Sequence, residues 1–291
     1  MKKQYKLVAL MLAAALTLFA LSACASAAPA ATEAPAVTEA PAATAAPTAG
    51  PTAAPTEDPT PTLTRIKAAG KLVVLTNAAF APFEYLGKDN KPVGVDMDIA
   101  KAIADEIGVQ LDVVDMDFDG IVMAIQAGKG DLALSGMSNT EERRQSVDFS
   151  INYVDAAQVV IVKEGSAIKS AADLEGKNVG VQMGTTGDIY VTESVKAKKV
   201  LRYKTGPDAG AELANGKIDA VVIDEMPAKQ IASANAGLAV LDEPLTSEQY
   251  AIAMAKNTPD LKAVVDQVVQ KLLDDGTIAK LIEEHKAASN S

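Results

Sequence analysis

Arg143 and Arg144 stand side by side in the stretch ALSGMSNTEERR, residues 133–144, and are two of only four arginines in the chain. The stretch reads as an apolar run, a turn and the first turn of a helix. Ser138 and Glu141 have the spacing of a capping box, which places both guanidinium groups close to a helix N-terminus. Cations there face the positive pole of the helix dipole at a cost of a few tenths of a kcal/mol each. A pair kept at that cost implies an anion to hold. Arg143 offers a bidentate fork for a carboxylate, while Arg144 is expected to face solvent. In GVQMGTTGDIY (180–190), Thr185 and Thr186 open another helix, whose free N–H groups suit the same anion. In IDAVVIDEMPA (218–228), Asp224 ends an apolar strand; it is either an ordinary N-cap or an acceptor for an ammonium group. LTNAAFAPFEY (75–85) ends a strand at Asn77 and sets Phe80 and Phe83 around Pro82. MDFDG (116–120) puts Phe118 directly before a helix. Phe83 reads equally as a core plug. Phe80 and Phe118 supply faces for a small side chain. An anion site, a cation site and an aromatic slot together describe an α-amino acid.

All five stretches fall at strand-to-helix turns. KLVVLT (71–76) reads as a strand and VDMDIAKAIADEIG (95–108) as a helix burying Ile99, Ile103 and Ile107 and stopping at Gly108. LDVVD, DGIVMAIQAG (119–128) and DLALSG continue the rhythm, and VVIVK, NVGVQ, IDAVVID and LAVLD are further strands. YAIAMAK (250–256) reads as one late strand. Pro259 opens a long helix that Gly276 ends, and TIAKLIEEHKAA is one more. Strands separated by helices predict an α/β fold with mainly parallel sheets, whose ligands bind beyond the carboxyl ends of the strands.

Composition narrows the function. The 291 residues have room for one large or two ordinary domains, and the formal charge of −11 makes nucleic acid an improbable partner. One Cys excludes an intramolecular disulfide or a cysteine metal cluster, and the single His285 leaves little for histidine chemistry. No metal site and no catalytic set is expected.

The N-terminus accounts for the cysteine. MKKQYK is a basic leader, followed by an apolar run slightly short for a stable span. Leu21-Ser22-Ala23-Cys24 resembles the bacterial lipobox, which implies cleavage after residue 23 and lipidation of Cys24 with diacylglycerol and palmitate. Residues 25–61 are nearly all Ala, Pro, Thr, Gly and acids, too poor in large apolar groups to offset ordering entropy. They read as an extended tether, which with Cys24 occupies 24–62 and is long enough to cross a cell wall. The folded part is expected at 63–291, outside the membrane.

TNAAFAPFEY, VGVDMDIAKAIADEIG and MDFDGIVMAIQAGKGDLALSGMSNTEERRQSVDFS follow in an order that resembles the polar amino acid family of extracellular solute-binding proteins of ABC importers, over about 65–285. The resemblance implies a periplasmic-binding-protein-like type II fold. Two α/β lobes, roughly 63–155 with 248–291 and 156–247, would be joined by two crossing strands and close over a ligand. It implies that Arg143 and Ser138 hold the ligand's carboxylate with Thr186 (and the Thr185 turn), that Gly136 and Asp224 meet its ammonium group, and that Phe80 and Phe118 flank its side chain. Members that bind basic or amide side chains often carry Asp where this chain has Asn77, and some relatives carry Lys where it has Gln182. A neutral polar or aliphatic amino acid is therefore the expected ligand. A permease with its ATPase is the implied partner, with no cofactor, a monomeric state, and a lipid anchor on the extracytoplasmic face of a single-membrane envelope. Two rivals stand beside this: a dehydratase-like cleft enzyme using Glu225 or Asp119, disfavoured by the amino-acid constellation and the tether, and the sensing subunit of a receptor. No span or signalling segment follows the last helix in the sequence, so sensing would need a separate partner.

Overall fold

The computed structural model describes residues 61–289. The leader, Cys24 and the tether as far as residue 60 lie outside the described residues. Ten of the fifteen strands among the described residues form two five-stranded sheets, each the centre of one lobe. In the first the order is Gln110–Asp115, Lys71–Thr76, Leu132–Ala133, Ala253–Met254, Asp148–Phe149. In the second it is Lys199–Tyr203, Asn178–Gln182, Ala220–Asp224, Gln158–Lys163, Leu238–Val240. Helices cover both sheets, as βαβ connections require.

The expectation of mainly parallel sheets holds for only part of each. Lys71–Thr76 runs parallel to both its neighbours, as does Asn178–Gln182. Ala253–Met254 and Gln158–Lys163 run antiparallel to theirs. These two strands enter a sheet from the other lobe instead of through a helical crossover, so nothing obliges them to run parallel. The links between lobes are Val154–Ala156 and Glu248–Tyr250, an antiparallel pair with Glu248 opposite Ala156. The stretch 250–256 is accordingly not one strand. Its first residue closes the crossing pair and Ala253–Met254 joins the first sheet, with the Ile252 N–H turned onto Ser150 Oγ at 2.9 Å between them. The helix expected at 119–128 is likewise shorter: a 3₁₀ turn at Phe118–Gly120 leads into Ile121–Gln126.

The helix Val95–Ile107 buries Ile99, Ile103 and Ile107 and ends at Gly108 in the left-handed conformation. Its start is tightly specified. Gly94 has φ 133°, and a Cβ there would lie 2.1 Å from the Phe83 carbonyl oxygen. That same oxygen accepts the Asp96 N–H at 2.9 Å. Only glycine permits this approach, which ties the helix to the loop carrying Phe80 and Phe83. At the far side, Pro259–Asp274 buries Leu261, Val265, Val268 and Val269, and its Asp260 accepts the Leu63 N–H at 2.7 Å.

Gly94→Ala should destabilise the fold by about 2 kcal/mol or more, through positive-φ strain and the clash with Phe83. In a domain of this size that is a fall of roughly 4–8 °C in thermal midpoint. A melting curve unchanged from the parent would show that the turn relaxes freely.

Candidate functional site

The carboxyl ends of the strands from both sheets open onto one cleft. Asn77, Phe80, Phe118, Gly136, Ser138 and Arg143 line it from the first lobe, and Thr185, Thr186 and Asp224 from the second. All nine sequence-predicted positions are thus brought together. The cleft adds Glu84 and Ser135, which the sequence reading did not select, and Gln182, which it weighed only for the charge of the ligand.

Arg143 sits on the short helix Glu141–Ser146, whose N-cap is Thr140 and not Ser138: Thr140 Oγ1 accepts the Arg143 N–H at 3.2 Å. In six residues the first and last turns overlap and both arginines fall in the last turn as well, so the helix dipole does not single them out. What distinguishes Arg143 is its company. Its guanidinium donates to the carbonyls of Ser138 at 2.8 Å and Gly184 at 3.1 Å, and its Cζ stands 5.3 Å from the centre of the Phe118 ring. It has no ion-pair partner within 4.0 Å among the described residues. Burial lowers its pKa, with Asp224 and Glu248 acting against that trend. The guanidinium's remaining donors and its unmatched charge suit an anion. Arg144 is exposed and bonds to Asn139 Oδ1 at 2.7 Å, as expected. Across the seam, Thr185 caps the helix Thr186–Ser194 by accepting the Asp188 N–H at 3.2 Å, leaving first-turn N–H groups without intrahelical acceptors.

Asp224 stands at the N-cap position of Glu225–Ala234 but its side chain makes no capping bond. Its Oδ1 accepts the Tyr250 hydroxyl at 2.6 Å instead. Burial pushes its pKa up to about 6, against the pull of the bonds from Tyr250 and Gln158. A carboxylate so desolvated, with only neutral donors on it, is prepared for a cation.

The cleft carries a second acid. Glu84 is fully buried; its Oε1 accepts Ser135 Oγ–H at 3.1 Å and its Oε2 finds no donor. Asp96 lies behind it, accepting Gly136 N–H at 2.9 Å and the Tyr153 hydroxyl at 2.7 Å. Burial, then the charge of Asp96, holds Glu84 well above the usual carboxylate range, and burial raises Asp96 to about 6. Beside this pair Gln182 Nε2 donates to Asn77 Oδ1 at 3.0 Å across the lobes, and Asn77 Nδ2 to the Met116 carbonyl at 2.8 Å. Phe80 packs on Gly136, where a Cβ would come within 2.6 Å of its ring. Phe83 is core, edge-on to Tyr250 at 5.0 Å. Glu225 pairs with Lys229 at 2.5 Å on the surface, and Asp119 faces Lys204 at 3.7 Å.

Residues 72–287 match the family model of bacterial extracellular solute-binding proteins, family 3. The chain belongs to this family. Among solved structures, a mutant of ArgBP from T. maritima shares 40% identity at TM-score 0.74, covering 77% of this chain and 99% of that one. AbpA from Streptococcus pneumoniae, bound to L-arginine, shares 38% at TM-score 0.76, covering 78% and 99%. The L-cystine-binding protein TcyJ of Escherichia coli is 29% identical over 225 residues, 76% of this chain and 85% of its own. The family and these relatives are solute-binding proteins and not enzymes. The two-lobed α/β architecture of this family 3 protein is that of type II periplasmic binding proteins.

Because Asp224 has its pKa raised from 3.8 to about 6 in the fold, the folded state holds a proton that the unfolded chain releases in that interval. Stability from this group is complete below pH 4 and is lost as pH rises through 6. Asp224→Asn should therefore stabilise the ligand-free fold at pH 7.5 by up to about 3 kcal/mol, raising its thermal midpoint, and leave the midpoint unchanged at pH 4. Equal effects at both pH values would exclude ionisation as the cause.

Proposed function

We propose that the protein captures an L-amino acid, L-arginine foremost, between its lobes and hands it to the permease of an ABC importer. Arg143 and the first-turn amides of Thr186–Ser194 take the α-carboxylate. Asp224 and the Gly136 region take the α-ammonium group, and Phe80 and Phe118 flank the side chain. The observation that carries the choice of arginine is the buried Glu84 carboxyl with its unserved Oε2, beside Asn77. Asn77 lacks the charge that a basic ligand needs, and this was the ground for expecting a neutral one; Glu84 supplies it. A guanidinium arriving there favours the ionised carboxylate, so capture releases a proton. The two solved relatives at 38–40% identity carry arginine in their names or contents, which supports arginine over cystine. A neutral amide side chain is the second reading, since a Glu84 that keeps its proton presents a neutral donor.

Closure follows from where the groups reside. Ligand meets the first lobe, and Thr186 and Asp224 engage fully once the second lobe arrives. Binding free energy realised only in the closed form is what shifts the equilibrium toward it. Cys24 lipidated by its two acyl chains and the tether of 25–61 hold the protein at the outer face of a single-membrane envelope.

Glu84→Gln should weaken L-arginine binding tenfold or more in calorimetry, abolish proton release, and change L-citrulline affinity by less than about threefold. Equal losses for both ligands would remove Glu84 from the recognition of charge. For the anchor, Cys24→Ser should move the protein from the detergent phase of a cell extract into the medium; retention in the membrane would defeat lipidation at this residue.

A further inference from the structure

Glu248 was not singled out in the sequence, yet its carboxylate accepts hydrogen bonds from cleft residues of both lobes. It lies on the crossing strand Glu248–Tyr250. Its Oε2 accepts from Ser138 Oγ at 2.5 Å, on the first lobe, and from Thr186 Oγ1 at 2.7 Å, on the second. Its Oε1 accepts from Thr246 Oγ1 at 2.7 Å. Thr186 Oγ1 also receives Gln158 Nε2–H at 3.0 Å.

A hydroxyl has one proton to donate, and an ionised carboxylate can only accept. Ser138 and Thr186 both spend that proton on Glu248, and Thr186 has one lone pair occupied by Gln158. What both side chains retain for a ligand is acceptor capacity. They therefore cannot donate to the ligand's carboxylate, the role the family resemblance implies for Ser138. That group is left to Arg143 and to backbone N–H donors. The two hydroxyls complement a cation instead, on the same side of the chemistry as Asp224.

From this we infer that Glu248 is a positioning residue for the α-ammonium group. From the hinge it sets the hydrogen-bond polarity of one hydroxyl on each lobe, so that both present lone pairs to the ligand in the closed form. The inference rests on the reading of the cleft as an α-amino acid site. Its other consequence is mechanical: only a closed arrangement lets one oxygen serve Ser138 and Thr186 together, so the ammonium subsite is assembled by closure.

Glu248→Gln reverses this polarity at almost constant volume, because an amide NH₂ in place of Oε2 donates to the two hydroxyl oxygens and occupies their lone pairs. Glu248→Asp keeps the polarity with a shorter reach. Calorimetry on the refolded full-length protein and both variants would use matched probes: L-arginine with 5-guanidinopentanoic acid, and L-glutamine with glutaramic acid, each second compound lacking only the α-amino group. Glu248→Gln should raise the Kd of the amino acids at least tenfold and that of the desamino acids less than twofold, with Glu248→Asp recovering part of the loss. Equal weakening of both members of a pair, or no weakening of either, overturns the role of Glu248. Binding of neither amino acid by the parent protein overturns the amino-acid reading itself, and this inference with it; the two failures are distinguished by which protein fails.

Discussion

Arg143 is half-buried at a seam where its immediate partners are carbonyl oxygens and an aromatic face, not a carboxylate. A guanidinium so placed has lost much of its water without gaining an opposite charge in contact, and the deficit is met only by an anion delivered from outside. The rest of the cleft is arranged around that incompleteness. Asp224 and Glu84 are the converse: carboxyls whose burial raises their pKa because no cation is in contact with them. Asp224 accepts a tyrosine hydroxyl, and Asp96 behind Glu84 accepts another together with a backbone amide, which orients both without neutralising them.

A site with unmatched charges of both signs held apart is a mould for a zwitterion. It is also a source of instability in the unliganded fold, since desolvated charges oppose folding. Binding and closure relieve that opposition together. The lobes already share contacts that depend on their approach: Arg143 to Gly184, Gln182 to Asn77, Lys204 to Asp117 at 2.6 Å, and Ser138 and Thr186 through Glu248. Most are neutral or exposed and individually weak. Their modest strength leaves room for ligand to decide which form prevails, because a seam already tight by itself would gain little from binding.

The supports behind the cleft are stiffer. Tyr153 and Tyr250 border the crossing strands and reach Asp96 and Asp224. Thus the hinge and the acids on both lobes are joined by short bonds through buried aromatic rings. Gly94 and Gly136 remove side chains where the Phe83 carbonyl and the Phe80 ring must pass. The aromatic wall is therefore positioned by the absence of atoms as much as by packing.

Local pattern determined a good deal. Periodicity placed the strands Lys71–Thr76 and Asn178–Gln182 and the helix Val95–Ile107, because burial of one face imposes its period on neighbouring residues. Strand-end chemistry marked most of the cleft positions, since helix N-termini and strand ends announce themselves within a few residues, and the family resemblance added Gly136 and the ligand role of Ser138. Tertiary structure alone decided three things. It directed the strands that enter a sheet by crossing, and it chose Thr140 over Ser138 as the cap. It also recruited Glu84 and Glu248, whose partners lie 51 and 110 residues away. No local signal separates a buried Glu from a surface one. Whether such a carboxyl is a solvated charge or a ligand's counterpart depends on the water excluded by distant parts of the chain, and that exclusion exists only once both lobes have folded around it.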